Sequence, residues 1–318
     1  MKHFTRLWRV FLLLVSLTTQ ISCQTTGAAL SLEPKTALFP ETLRPGEPYV
    51  VAVSGYQKAP LKASLFRDGQ KLGSGRFFEL GESGARGKIY CAIMAAPSTA
   101  AEGPARLLVE GDAAVLSEFE LTIESRNFPS ETIAITGGMQ DILTRPDPQK
   151  TREAEQLWAI IGRTGTGLYT DGNFIMPVNS TVQTSRFGTR RIYKYPDGRS
   201  STSIHAGVDW RAPTGTPISA CAPGKVVLAR ARIVSGNTVI LEHMPGVYSL
   251  YYHMDRIVVT EGDFVETGSR LGDAGATGFA TGAHLHWEVR VAAENTDPAR
   301  FLGRAVLDKA AILATMNE

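Results

Sequence analysis

The chain has 318 residues, 43% of them hydrophobic and 20% charged, with a formal net charge of +2. At about 150 residues per domain there is room for about two domains with cores of their own. The composition excludes a largely disordered chain and a polytopic membrane protein, and the charge balance gives no case for nucleic acid as a partner. With 31 Gly and 17 Pro the chain is rich in turn formers, which favours β structure over helix bundles. Three Cys are too few for a disulfide scaffold.

The first residues read as an export signal. Lys2, His3, Arg6 and Arg9 form a basic stretch, and Val10 to Leu17 form an apolar run. That run is too short to span a bilayer, which needs about 20 apolar residues. Ser22-Cys23 follows at the distance of a lipoprotein processing site, although Gln20 stands where such sites usually carry Leu. The expectation is a signal at 1–23 with a lipid anchor on Cys23; ordinary cleavage near Thr26 to Ala29 is the alternative. Either way the mature chain works outside the cytoplasm, in the periplasm or cell envelope.

Residues 30–124 alternate as strands do. Tyr49 to Val53 is one strand, Asp68-Gly69 suits a type I′ hairpin turn, and Phe119, Leu121 and Ile123 share one face. About seven short strands predict an immunoglobulin-like sandwich acting as a spacer or docking domain. Residues 125–173 form a connector. Asp147-Pro148 caps a helix, Gly162 ends it, and Ala154, Leu157, Trp158 and Ile161 form its apolar stripe. The stripe is expected to dock on the domain that follows and to narrow its groove.

Residues 174–300 carry the chemistry, and 301–318 form a C-terminal helical tail. The fold class is therefore all-β dominated: a sandwich, a short helical connector, an antiparallel β domain and a C-terminal helix. Expected strands are Thr238 to Glu242, Ser249 to Tyr252, Asp255 to Thr260 and Leu285 to Val291, and Tyr193 to Ser203 reads as a polar loop. His205 and Asp209 flank Gly207, His253 follows Tyr251-Tyr252, and His284-Leu285-His286 follows the Gly-rich segment Gly275 to Gly282. In a strand, residues two apart face the same side, so His284 and His286 can address one metal while Leu285 and Trp287 fill the core. Catalytic zinc takes three N or O ligands and keeps a fourth position for water. His205, Asp209 and one histidine of the pair supply such a set. The chain has no HExxH, GxSxG or phosphate-binding loop motif.

The stretch from about Phe174 to Pro298 resembles the LytM/lysostaphin-type zinc metallopeptidases, which cut peptidoglycan cross-links. The match includes Ser185 to Arg190, His205-Ala206-Gly207-Val208-Asp209, Tyr251-Tyr252-His253 and Thr281 to Glu288. The resemblance implies Zn2+ held by His205, Asp209 and His286, with His253 and His284 as catalytic histidines that orient water and stabilise the oxyanion. It implies a zinc endopeptidase acting on peptidoglycan peptides, with His253 or His284 as general base. Ala283, where the family usually has Pro, and the bulky Trp210 depart from the pattern without removing a ligand. A catalytically silent regulator of another wall hydrolase, or a wall-binding scaffold, is the alternative. Glu288 shares the strand face of His284 and His286, either behind a ligand or in solvent. Tyr251 either lines the cleft or packs. His243 reads as structural, and Cys91 and Cys221 as buried free thiols.

Overall fold

Alternating apolar residues between turn signals build two four-stranded antiparallel sheets in the N-terminal part of the computed structural model, which describes residues 33–318 except 41, 57–59, 85 and 113. The signal and Cys23 lie outside the described residues. The strands are β1 (Lys35–Phe39), β2 (Pro48–Ser54), β3 (Lys62–Arg67), β4 (Gln70–Arg76), β5 (Phe78–Ser83), β6 (Gly87–Ala95), β7 (Gly103–Glu110) and β8 (Val115–Ile123). One sheet has the order β1-β2-β6-β5 and the other β4-β3-β7-β8. Asp68 and Gly69 both take positive φ, 48° and 75°, as a type I′ turn requires.

The connector contains β9 (Ser130–Ala134), α1 (Gly137–Thr144) and α2 (Pro148–Ile161). The Asp147 side chain accepts from the Gln149 amide, and Pro148 sits in the first turn of α2. The C-terminal part comprises β10 (Gln183–Ser185), β11 (Arg190–Lys194), β12 (Ser200–Ile204), β13 (Val208–Arg211), β14 (Pro217–Ser219), β15 (Gly224–Arg232) and β16 (Gly236–Met244). It continues through β17 (Val247–Ile257), β18 (Phe264–Val265), β19 (Arg270–Ala274), β20 (His284–Val291), β21 (Glu294–Thr296) and α3 (Lys309–Asn317). Its main sheet runs β10-β13-β20-β17-β16-β15-β18, with β19 on β17 and β21 on β20. Strand far outweighs helix, as expected.

Three expectations change. Asp255 to Thr260 is not a separate strand, because β17 runs on to Ile257. Tyr193 to Ser203 is a β-hairpin of β11 and β12 rather than a loop, and β9 joins it in parallel to make a three-stranded sheet. The buried stripe of α2 is not the one the spacing suggested. Ala154 and Trp158 are exposed, Trp158 by 57%, while Leu157, Ile160 and Ile161 face the protein. Ile160 and Ile161 pack with Leu228, Ile240, Tyr248, Leu250 and Tyr252. Glu153 continues the inner face by accepting from the Ile233 amide.

Leu32–Glu318 is one compact unit, and the burial pattern gives the reason. Ile89, Cys91, Ile93 and Ala95 of β6 lie in one core with Phe174, Val208, Leu285 and Trp287 of the C-terminal sheet and with Ile312 and Met316 of α3. Ala92 and Met94, on the other face of β6, close the sandwich core with Leu65 and Leu107. The sheet β1-β2-β6-β5 is therefore covered on both sides. Polar links reinforce the junction: Arg126 pairs with Asp297, Arg300 with Glu47 at 2.8 Å, and the Asp297 amide donates to the Gly46 carbonyl at 2.8 Å.

Docking of α2 rests on Ile161, which has no exposed surface, and not on Trp158. Ile161→Ala is expected to lower stability by about 2–5 kcal/mol, and Trp158→Ala by less than about 0.5 kcal/mol. Urea unfolding midpoints at unchanged slope read both values, and the reverse order would contradict this packing.

Candidate metal centre

The segment leading to Asp209 can approach β20 so closely because residue 207 is Gly. A Cβ there would stand 2.2 Å from the Trp287 carbonyl oxygen. β13 then pairs with β20 so that Asp209 lies opposite His286 and Trp210 opposite Leu285. Leu285 and Trp287 are fully buried in the core, which turns His284 and His286 to the other face.

Three atoms converge there. His205 Nε2 lies 3.0 Å from Asp209 Oδ1 and 2.9 Å from His286 Nδ1, and His286 Nδ1 lies 2.7 Å from Asp209 Oδ1. All three residues are buried. The opposite ring nitrogens are already committed. His205 Nδ1 donates to the Arg186 carbonyl at 2.8 Å, and His286 Nε2 donates to Glu288 Oε1 at 3.0 Å. Those bonds fix the tautomers and leave a lone pair on each inward nitrogen. Two imidazole lone pairs and a carboxylate oxygen facing one another form a cation site. A triangle with sides of 2.7–3.0 Å is one that an ion about 2.1 Å from each corner can cap. The donor set of two N and one O, with one side open, suits catalytic zinc.

Charge points the same way. Burial opposes ionisation of Asp209, but bonds with His205 and His286 hold its carboxyl well below the usual carboxylate range. Burial pushes the His286 imidazole down, and Asp209 and Glu288 more than reverse this, holding it up at about 9. A proton therefore competes for the inward His286 nitrogen, and a bound metal ion displaces it. Burial pushes Glu288 up, but Arg290 and His286 bring it down to about 2, so it stays ionised behind the ligand. Arg290 Nε donates to Glu288 Oε2 at 2.7 Å, and Tyr252 stacks on the His286 ring at 5.2 Å. Glu288 therefore stands behind a metal ligand and not in solvent.

His253 and His284 flank the triad, with ring centroids 4.8 Å apart. His253 Nδ1 donates to the Thr277 carbonyl and His284 Nδ1 to the Gly282 carbonyl, each at 2.8 Å. Both carbonyls belong to the Gly-rich segment, which can seat against the turn before β16 because residue 278 is Gly: a Cβ there would meet the Gly236 amide at 2.4 Å. His284 Nε2 lies 3.7 Å from Asp209 Oδ1. His253 has φ 61°, a left-handed conformation that is uncommon outside Gly. That kink breaks strict alternation in β17. Tyr252 reaches the site, whereas Tyr251 packs in the core with its hydroxyl accepting from the Cys221 amide. His243 is fully buried between the Pro223 carbonyl and Ser249 Oγ, and burial pulls it down to about 4, so it is structural. Cys91 and Cys221 are free and buried.

Two site residues escaped the sequence reading. Arg191 Nη2 bonds Asp209 Oδ2 at 2.5 Å, leaving Oδ1 to the metal position. Glu131 Oε1 accepts from Arg191 Nε at 2.8 Å and from Ser185 Oγ at 3.1 Å, and Ser185 Oγ lies 3.2 Å from His205 Nδ1. Only the position of Ser185 in the family-like run Ser185 to Arg190 hinted at either.

The family model for Peptidase family M23 matches residues 203–298. Peptidoglycan DD-endopeptidase ShyB of Vibrio cholerae is 40% identical over 87 residues, which is 27% of this chain and 20% of that protein. DD-carboxypeptidase/endopeptidase Mpg of Neisseria meningitidis is 35% identical over 135 residues, 42% of this chain and 30% of that protein. The chain thus spans less than a third of the length of these curated relatives. A solved structure of a candidate peptidase M23 from Pseudomonas aeruginosa superposes with a TM-score of 0.57 at 27% identity, covering 84% of this chain and 96% of that one.

Elemental analysis of the purified protein is expected to find one zinc per chain. Asp209→Ala and His286→Ala should lose it. Glu288→Ala should keep the site but weaken zinc binding about 10–100-fold. Stoichiometric zinc in Asp209→Ala after dialysis would remove Asp209 from the ligand set.

Proposed function

We propose, from the premise that residues 203–298 belong to peptidase family M23, that this chain is a zinc endopeptidase hydrolysing peptide cross-links of peptidoglycan. The observation that carries the reading is the three-atom metal centre with two further imidazoles aimed across its open side. The names of ShyB and Mpg support peptidoglycan as the substrate.

His205, Asp209 and His286 would hold zinc, which would supply a Lewis acid to polarise the scissile carbonyl and acidify the attacking water. The chain's own residues manage the protons. With their Nδ1 protons held by backbone carbonyls, His253 and His284 each present an Nε2 lone pair to the cleft. Burial, with His284 and His286 adding to it, pushes His253 down to about 3, so it stays neutral and is a poor proton acceptor. His284 is partly exposed and its Nε2 lies 3.7 Å from Asp209 Oδ1, within reach of water at the centre, so it is assigned as the base. It takes the proton of the attacking water, whose oxygen bonds to the carbonyl carbon. It then returns the proton to the leaving amine as the C–N bond breaks. His253 Nε2 accepts a hydrogen bond from the water and so orients it; with no proton on that nitrogen it cannot also donate to the oxyanion.

The domain reading is a sandwich at 30–124, a connector at 125–173, a peptidase at 174–300 and a helical tail. The sheet orders β1-β2-β6-β5 and β4-β3-β7-β8 support an immunoglobulin-like sandwich, since they place the strands as that fold does with one strand added. Wall-degrading relatives support an extracytoplasmic location, and the Ser22-Cys23 pattern supports a periplasmic, lipid-anchored protein.

Three results test these readings. Mass spectrometry of purified sacculi should find muropeptides released by the mature protein and none with a chelator present. Wall binding without release, at full zinc occupancy, would favour the silent regulator. His284→Ala should keep its zinc and lose about 10²–10⁴-fold in turnover; wild-type turnover in that variant would displace His284 as the base. Cys23→Ala should move the protein from the detergent to the aqueous phase in a phase-separation assay, because stable anchoring needs the several acyl chains of a processed Cys. Equal partitioning would leave ordinary signal cleavage as the reading.

A further inference from the structure

We propose that Glu131, contributed by the connector and not by the peptidase sheet, is a positioning residue that holds two of the three metal ligands from behind, so that the centre is complete only with the connector docked.

One oxygen carries both links. Glu131 Oε1 accepts from Arg191 Nε at 2.8 Å, and Arg191 Nη2 reaches Asp209 Oδ2 at 2.5 Å. The same Oε1 accepts from Ser185 Oγ at 3.1 Å, and that hydroxyl lies 3.2 Å from His205 Nδ1. The first link sets which Asp209 oxygen faces the metal. The second fixes the rotation of the His205 ring. Groups bonded behind metal ligands orient them, and their loss weakens metal binding; here those groups are Arg191 and Ser185, and Glu131 holds both in place.

Docking of the connector fixes Glu131 itself. β9 runs parallel to β11 with Glu131 directly opposite Arg191. The Arg190 amide donates to the Pro129 carbonyl and the Ile135 amide to the Lys194 carbonyl, which closes both ends of the pairing. Just upstream, Arg126 stacks over Phe128 and Phe187, and Phe128 meets Phe187 edge-on at 5.9 Å. Arg126 also donates to the Pro45 carbonyl and pairs with Asp297. Residue 46 of the sandwich must be Gly, since a Cβ there would stand 2.3 Å from the Phe187 ring. Phe187 follows Arg186, whose carbonyl accepts from His205. The sandwich thus wedges the connector in place, and the connector delivers Glu131. A chain beginning near Asp171 lacks this carboxylate and should bind zinc more weakly, so removing the connector does more than open a groove.

The inference rests on the zinc centre and not on which bond is cut. Zinc affinity and muropeptide release therefore fail separately. The test measures zinc dissociation constants by competition with a chromophoric chelator on the full mature chain. Glu131→Leu keeps bulk and removes both acceptors, and it should weaken zinc about 10–100-fold. Glu131→Gln keeps an acceptor oxygen in the same place and should recover most of the loss. Ile133→Ala perturbs the packing of the same strand without touching the carboxylate and should bind zinc as the wild type does. Wild-type affinity in Glu131→Leu would overturn the proposal. So would a loss in Ile133→Ala as large as that in Glu131→Leu, which would assign the effect to strand docking. A Glu131→Gln variant as weak as Glu131→Leu would replace positioning by net charge and overturn it as well.

Discussion

An aspartate oxygen and two imidazole nitrogens, each presenting a lone pair, lie within 3.0 Å of one another in a part of the protein that water scarcely reaches. Such atoms repel unless positive charge sits among them, and burial magnifies the repulsion. Much of the surrounding architecture answers to that constraint. The Arg186 carbonyl and Glu288 take the outward protons of the two rings, and Arg191 takes the outward oxygen of the carboxylate. Two of these groups have a further partner: Arg290 behind Glu288, and Glu131 behind Arg191. The inward lone pairs are thus fixed by two layers of hydrogen bonds, which is preorganisation for a cation and for the chemistry it supports.

That layering explains why the three parts of the chain fold as one unit. The C-terminal part alone would supply the ligands, Glu288 and Arg191, but not Glu131, which β9 of the connector adds beside Arg191. The sandwich sheet β1-β2-β6-β5 buries one face in its own core and the other against the C-terminal core. A sheet used on both faces cannot swing freely without exposing apolar residues such as Ile89 and Ile93. The sandwich therefore acts as a buttress and not as a loose spacer. α2 adds a cover on the site-bearing face of the sheet, since Tyr252 and Leu250 beneath it pair with His286 and Glu288.

The residues with strictly local rules were legible in the sequence. The His-x-His spacing follows from strand alternation, the Asp68-Gly69 hairpin from positive φ, and the Asp147-Pro148 start of α2 from capping chemistry. Residues set by distant partners were not legible. Glu131 lies on a short polar strand whose parallel partner is 60 residues away, and no periodicity in Ser130 to Ala134 marks it. Trp158 looked like part of the stripe because it is large and apolar, yet the polar Glu153 holds the inner face through its carboxylate. The left-handed turn at His253 brings that residue to the face Tyr252 shares with His286, so Tyr251, which alternation placed on the side of His253, packs in the core.

The most direct test of the account is the zinc K-edge absorption spectrum of the full mature chain, fitted for imidazole and oxygen shells. The account predicts two imidazoles with one carboxylate oxygen and a water, all near 2.0–2.2 Å as is usual for such ligands. A third imidazole in the first shell, from His253 or His284, would close the site, leave no position for water, and contradict the reading of this centre as catalytic.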